Sequence, residues 1–128
     1  MFSCTRTETR LIVEGKCAGV VRRYERGACP HAVGSQIVFS SKFLPWLPHD
    51  DDRSIPFAQG TIVSVRPGTV GQFRKDQRLA ETDGFANGPV WHGHLNQLYK
   101  GIGDDASVYH ITFKLEEIDK TAGVEKKV

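Results

Sequence analysis

Tyr109-His110-Ile111-Thr112-Phe113-Lys114-Leu115 alternates apolar and polar side chains one by one, the period of a strand with one buried face. Upstream, Gly60-Thr61-Ile62-Val63-Ser64-Val65-Arg66 is a second strand signal, ending at Pro67-Gly68. Between the two strands the period changes. Thr69-Val70-Gly71-Gln72 has the spacing of a capping box, in which threonine and glutamine side chains satisfy free amides at a helix start. The pattern predicts one helix from there to about Asp83, with Val70, Phe73 and Ala80 facing inward and Gly84 as its stop. Asn87-Gly88-Pro89 opens another helix, with proline in the first turn where its missing amide costs nothing. Its Trp91, Leu95, Leu98 and Ile102 recur at helical spacing as far as Lys100-Gly101.

Towards the N-terminus, residues 35–41 with Ile37-Val38-Phe39 read as a strand. Residues 17–22 read as a shorter strand, leading into a charged turn at 22–27. Before them, residues 5–15 read as a short helix capped by Thr5 or Thr7, with Leu11 and Ile12 inward and Gly15 as its end. The order is helix, strands, long loop, strand, helix, helix, strand. That order implies an α+β domain whose short strands curl into a partial barrel.

The long loop is residues 43–56, where Pro45, Pro48 and Pro56 argue against a regular element. It also carries Asp50-Asp51-Asp52 and two large apolar residues, Trp46 and Leu47. Phe43 and Trp46 have the character of platforms for unpaired bases. The alternative use of Trp46 is to cover the open end of the barrel. The domain is expected to occupy residues 1–118, followed by a polar tail at 119–128 that frays.

A chain of 128 residues can bury one core, and 39% hydrophobic with 25% charged residues is globular composition. The net charge of +2 is too small to require a nucleic-acid partner, but it is unevenly spread. Residues 1–26 hold six basic side chains (Arg6, Arg10, Lys16, Arg22, Arg23, Arg26) against three acidic ones. Cys4, Cys17 and Cys29 cannot all pair within the chain, and no run has the length of a signal peptide or a membrane span. Free thiols, a cytoplasmic location, no membrane association and a monomer are the expectations. His92 and His94 stand two apart on a predicted helix and diverge, no Cys-x-x-Cys exists, and His49 with the aspartate run reads as solvated loop. No metal and no cofactor are expected.

Four stretches together resemble the ASCH (activating signal cointegrator homology) domains of the PUA-like superfamily of small β-barrels with flanking helices. They are Leu11-Ile12-Val13-Glu14-Gly15-Lys16 with Arg22, Gly34 to Phe39, Ala80-Glu81-Thr82-Asp83-Gly84-Phe85 with Trp91 and Tyr99, and Val108 to Phe113. The resemblance spans about residues 2–116 and implies RNA binding in a basic cleft between barrel and helices. Some members it is similar to remove the acetyl group of N4-acetylcytidine, and others are linked to ribonuclease activity. The deacetylase pattern carries a lysine, a threonine and a glutamate; Cys17, Val20 and Asp83 stand at those places here. Val20 has no hydroxyl, and Lys16 is shifted one residue, which on a strand turns it to the other face. Cys17 could act as a nucleophile only with a stabilised thiolate.

The candidate RNA-contacting residues are Lys16, Arg22 and Asp83 in the cleft the resemblance implies, with Arg23, Lys42 and Trp46 beside them. Lys16 and Arg22 would meet phosphate or base edges and Asp83 a base amino group. The alternative for Arg22 and Asp83 is a structural ion pair. Three functions stay open: an RNA- or nucleoside-binding module; an enzyme on RNA or a modified nucleoside using Lys16, Asp83 and a hydroxyl of Ser40-Ser41; and a protein-interaction domain presenting Trp46 to a partner.

Overall fold

The computed structural model describes residues 1–24, 29–48 and 50–124. Residues 25–27 of the charged turn, Ala28, His49 and the end of the tail at 125–128 lie outside the described residues. The elements are β1 (Phe2–Ser3), α1 (Arg6–Val13), β2 (Gly19–Arg22), β3 (Gln36–Ser41), β4 (Ile55–Thr69), α2 (Val70–Arg74), α3 (Gln77–Thr82), α4 (Gly88–Leu98) and β5 (Ser107–Ile118). The five strands form one curled, half-barrel sheet in the order β1-β3-β4-β5-β2. The β1–β3 pair is parallel and the other three are antiparallel. This is an α+β domain. Register shifts at Phe39/Ser40, Gln59/Gly60 and Ile62/Ser64 bend the long central strand, which is what bulges do. Among the described residues no helix is long and apolar enough to cross a membrane.

Alternation along β2 and β5 divides the interior in two. Val20, Ile111 and Phe113 face the hollow of the half-barrel, where they meet Leu11 and Ile12 of α1, Phe39 and Phe57. Val21 and Val108 face the other way, into a second cluster of Val70, Phe73, Leu79, Ala80, Trp91 and Leu95. The first half of β5 is therefore buried on both faces, and His110, expected to be polar and exposed, is 5% exposed.

The expected capping box forms at α2, and at α1 the expected threonine cap, Thr5, turns out to be a second box. Thr5 caps α1 with Glu8, and Thr69 caps α2 with Gln72. The single helix expected from Thr69 to Asp83 is broken into α2 and α3, because the Asp76 carboxylate accepts the Leu79 amide at 3.2 Å and starts a new helix. The long loop is shorter than expected, since β4 begins at Ile55 and carries Pro56 inside it. Pro56 partners Ser40 beside the Phe39/Ser40 register shift, a place where a missing amide is tolerated. The same strand runs past Pro67 to Thr69, over a stretch paired with β5 alone. β1, two residues long, gave no periodic signal. The tail expected to fray from Asp119 is anchored as far as Ala122, which is buried at 6% and whose carbonyl accepts the Trp46 indole N–H at 2.9 Å. Trp46 is thereby half-buried against the barrel core.

Gly88, the first residue of α4, lies so close to α2 that a Cβ would be driven into the Arg74 carbonyl oxygen. Alanine in a helix is ordinarily better than glycine. Here Gly88→Ala is expected to destabilise by roughly 1–3 kcal/mol, as overpacking does. Thermal unfolding checks this, and a melting temperature at or above that of the parent would contradict the close packing of α4 on α2.

Candidate nucleic-acid interface

Arg22 is buried and pairs with Glu8. Its Nη1 and Nη2 stand 2.7 and 2.6 Å from the two Glu8 carboxylate oxygens, and it also donates to the carbonyls of Val21 (2.9 Å) and Ser3 (3.0 Å). The guanidinium lies over the Phe2 ring at 4.4 Å. The Arg22–Asp83 ion pair weighed from the sequence does not form; Glu8 takes that place. Burial alone would raise the Glu8 carboxyl, but the Arg22 bonds outweigh it and hold the group at about 2. His94 Nε2 is 3.8 Å from Glu8, too far for a hydrogen bond, and has no hydrogen-bond partner among the described residues.

Asp83, at the C-terminal end of α3, is also buried. His110 Nε2 stands 2.7 Å from its Oδ1, and the Trp91 indole N–H donates to its Oδ2 at 3.1 Å. Burial pushes this carboxyl up, and the two hydrogen bonds pull it back only part of the way. A Cβ on Gly19 would collide with the same carboxylate, so glycine lets β2 pass beside the corner. The space left among Glu8, Asp83, Trp91 and His94 is about 10 Å³, room for one water molecule. The cleft that the resemblance implies between β2 and the helices is thus closed, with Arg22 and Asp83 sealed behind their partners.

Lys16 is exposed, with its amine 3.3 Å from Glu14, whereas both Asp83 oxygens face inward. Ser40 and Ser41 sit on β3, bonded to Ser54 (3.1 Å) and Thr9 (2.6 Å). The acid, base and hydroxyl of the enzymatic reading are not brought to one place. Cys17 is buried, its thiol donates to the Gly19 carbonyl at 3.1 Å, and burial pushes it up to about 12, far from a reactive thiolate. His92 and His94 diverge as expected, towards the Ile102 carbonyl and towards Glu8. Among the described residues no three His, Cys, Asp or Glu side chains converge as a metal-ligand set. Arg23 is exposed, its amide held by the Tyr99 hydroxyl at 2.9 Å.

A much larger depression lies elsewhere, between the outer side of α1 and the loop after β3. This groove encloses about 720 Å³ and is lined by Arg6, Arg10, Val13 and Glu14 from the helix side and by Lys42, Phe43, Leu44, Leu47, Asp51 and Asp52 from the loop. The Arg6 guanidinium lies over the Phe43 ring at 4.7 Å. Two of the three carboxylates are already compensated, Asp51 by Arg53 at 2.7 Å and Glu14 by Lys16. Arg10 and Lys42, from opposite walls, have no ion-pair partner among the described residues. The lining itself holds three cations against three carboxylates, but with Glu14 and Asp51 already engaged by Lys16 and Arg53, the groove offers Arg10 and Lys42, a stacked ring and an apolar floor. Of the residues expected from the sequence, it gathers Lys42 and Phe43 directly and Lys16 at its rim through Glu14.

Sequence reasoning missed Glu8, His94, Arg6 and Arg10 as site residues. Glu8 had a readable signal: it stands three and four residues before Leu11 and Ile12, on the apolar face of α1, where an acid needs a buried partner.

The fold itself has known relatives. A protein of Enterococcus faecalis V583 described under the family model DUF984 superposes with a TM-score of 0.63 at 11% identity, over 86% of this chain and 67% of that one. The ASCH domain of Lactobacillus crispatus JV V101 gives 0.58 at 19% identity, over 89% and 79%. ASCH from Zymomonas mobilis gives 0.56 at 12% identity, over 92% and 66%. The curled sheet with its four helices is thus the fold of ASCH domains, as the sequence resemblance implied. Neither a protein-family model nor a curated protein matches the sequence.

The Glu8 carboxyl sits lower in the folded chain than its ordinary value of 4.5, so the pair's stabilisation is complete above that pH and disappears as pH falls towards about 2. Glu8→Gln should cost roughly 3–5 kcal/mol at neutral pH and flatten this acid limb relative to the parent. Parallel pH dependences for the two proteins would contradict the pairing.

Proposed function

We propose that the chain is an RNA-binding module that holds an unpaired strand in the groove between α1 and the 42–52 loop. The observation that carries the reading is that Arg10 and Lys42, without ion-pair partners among the described residues, line one groove whose wall already holds an arginine stacked on a phenylalanine. Phosphates are met by such cations, and bases by ring and guanidinium planes. The ASCH resemblance supports RNA as the polymer. Lys16 and Arg23, both exposed, remain candidate phosphate contacts outside the groove. Arg22 and Asp83 serve by positioning: the first holds α1 and the second holds the helices to the sheet. Trp46 supports the loop from beneath through its bond to Ala122.

Single-strand binding should fall with salt, with a slope of about 0.7 per phosphate contact. The Arg10→Ala/Lys42→Ala double variant should weaken affinity for a short single-stranded RNA by about tenfold or more and reduce the slope by about 1.4. Fluorescence anisotropy over a salt series measures both. Unchanged affinity and slope in a variant that keeps the parent melting temperature would refute the groove as the RNA site.

A further inference from the structure

At the open end of the half-barrel, away from α1 and the 42–52 loop, a second depression of about 440 Å³ is lined by Tyr24, Pro67, Gly68, Thr69, Ser107 and Tyr109. None of these residues lines the basic groove. We propose that this mouth is a separate site for one flat, uncharged heteroaromatic ring, such as an unpaired nucleobase. Its volume is in the range of small-ligand pockets, and barrel mouths are among the places where such pockets occur.

The chemistry of the walls selects the ligand. The Tyr24 and Tyr109 rings meet at 6.0 Å and 52°, making an aromatic corner. That corner is backed by further rings: Tyr24 packs on His31 at 6.3 Å, and His31 on Phe2 at 5.9 Å. Phe2 in turn lies beneath the buried Arg22 guanidinium. The corner is therefore held by the core and is preformed rather than assembled by a ligand. Among the described residues the lining carries no charged side chain, which favours an uncharged ring over a phosphate or a carboxylate. Its other wall is the backbone of β4, where Gly68 contributes no side chain and Pro67 no amide. The Ser107 hydroxyl, exposed at the rim, supplies one polar group to a ring edge. Burial raises the Tyr24 phenol to about 12, so it stays neutral across the working range.

The test is a titration of the full chain with adenosine and with cytidine, followed by amide chemical shifts and calorimetry. Two variants accompany it: Ser107→Trp, which fills the mouth from an exposed position, and Tyr24→Leu, which removes one ring. Nucleoside binding should shift the amides of Tyr24, Gly68, Ser107 and Tyr109. Each variant should weaken it by about tenfold, as loss of one stacking surface does. The Arg10→Ala/Lys42→Ala protein should bind nucleosides as the parent does, which separates this site from the RNA groove. A short RNA that shifts the same amides where free nucleosides do not would identify the base as part of a strand; shifts with nucleosides alone would identify a free nucleoside. The proposal is overturned if neither ligand moves these amides, if Ser107→Trp binds like the parent, or if a saturated ring such as cyclohexanol binds equally well.

Discussion

One guanidinium holds this fold in its curled form. The strand order leaves β1 and β2 as the two edges of the sheet. Arg22, on β2, reaches the Ser3 carbonyl on β1 and at the same time clasps Glu8 on α1. Three elements distant in the chain thus meet on one side chain. Burying such a charge is unfavourable unless it is fully bonded, and a bidentate carboxylate with two carbonyls supplies that. Glu8 serves twice, because the oxygen that meets Arg22 Nη2 also accepts the Thr5 amide that begins α1. The position and the start of α1 are therefore fixed by the same carboxylate.

The consequence for function runs through α1. Its inner face, with Glu8, Thr9, Leu11 and Ile12, is spent on the barrel. Its outer face, with Arg6 and Arg10, is left to form a wall of the groove. On the other side of the sheet, Asp83 does for the helices what Glu8 does for α1, joining α3 to β5 through His110 and to α4 through Trp91. These two satisfied polar centres fill the space between barrel and helices. Among the described residues the larger depressions lie at the periphery: the groove beside α1 and the aromatic mouth at the barrel end.

Much of this was readable in the sequence where local chemistry decides. The alternation at 109–115, the capping box at Thr69–Gln72 and the Trp91-Leu95 stripe each name an element, and their order with the ASCH-like stretches leads to the fold. The readings that failed did so where partners distant in the chain decide. Asp76 looked like one more polar residue on a helix face, but its side chain competes for a helix amide. Pro56 and Pro67 looked like breakers, yet a register shift and an unpaired flank absorb them. Arg22 was recognised as important, but its partner lies fourteen residues earlier on another element. The resemblance pointed to a cleft that this chain closes; the spacing of Glu8 on the apolar face of α1 hinted at a buried acid, whereas nothing in the local pattern around Asp83 reports that its carboxylate is turned inward.

The central claim is that RNA meets the groove beside α1 and not the closed space around Asp83. Photocrosslinking a 4-thiouridine-containing single strand to the chain, with the attached peptides mapped by mass spectrometry, tests it most directly. Crosslinks on the peptides covering residues 5–14 and 42–52 are the predicted result. Crosslinks confined to residues 80–98, around Asp83, Trp91 and His94, would contradict the account and show that the closed cleft opens to its ligand.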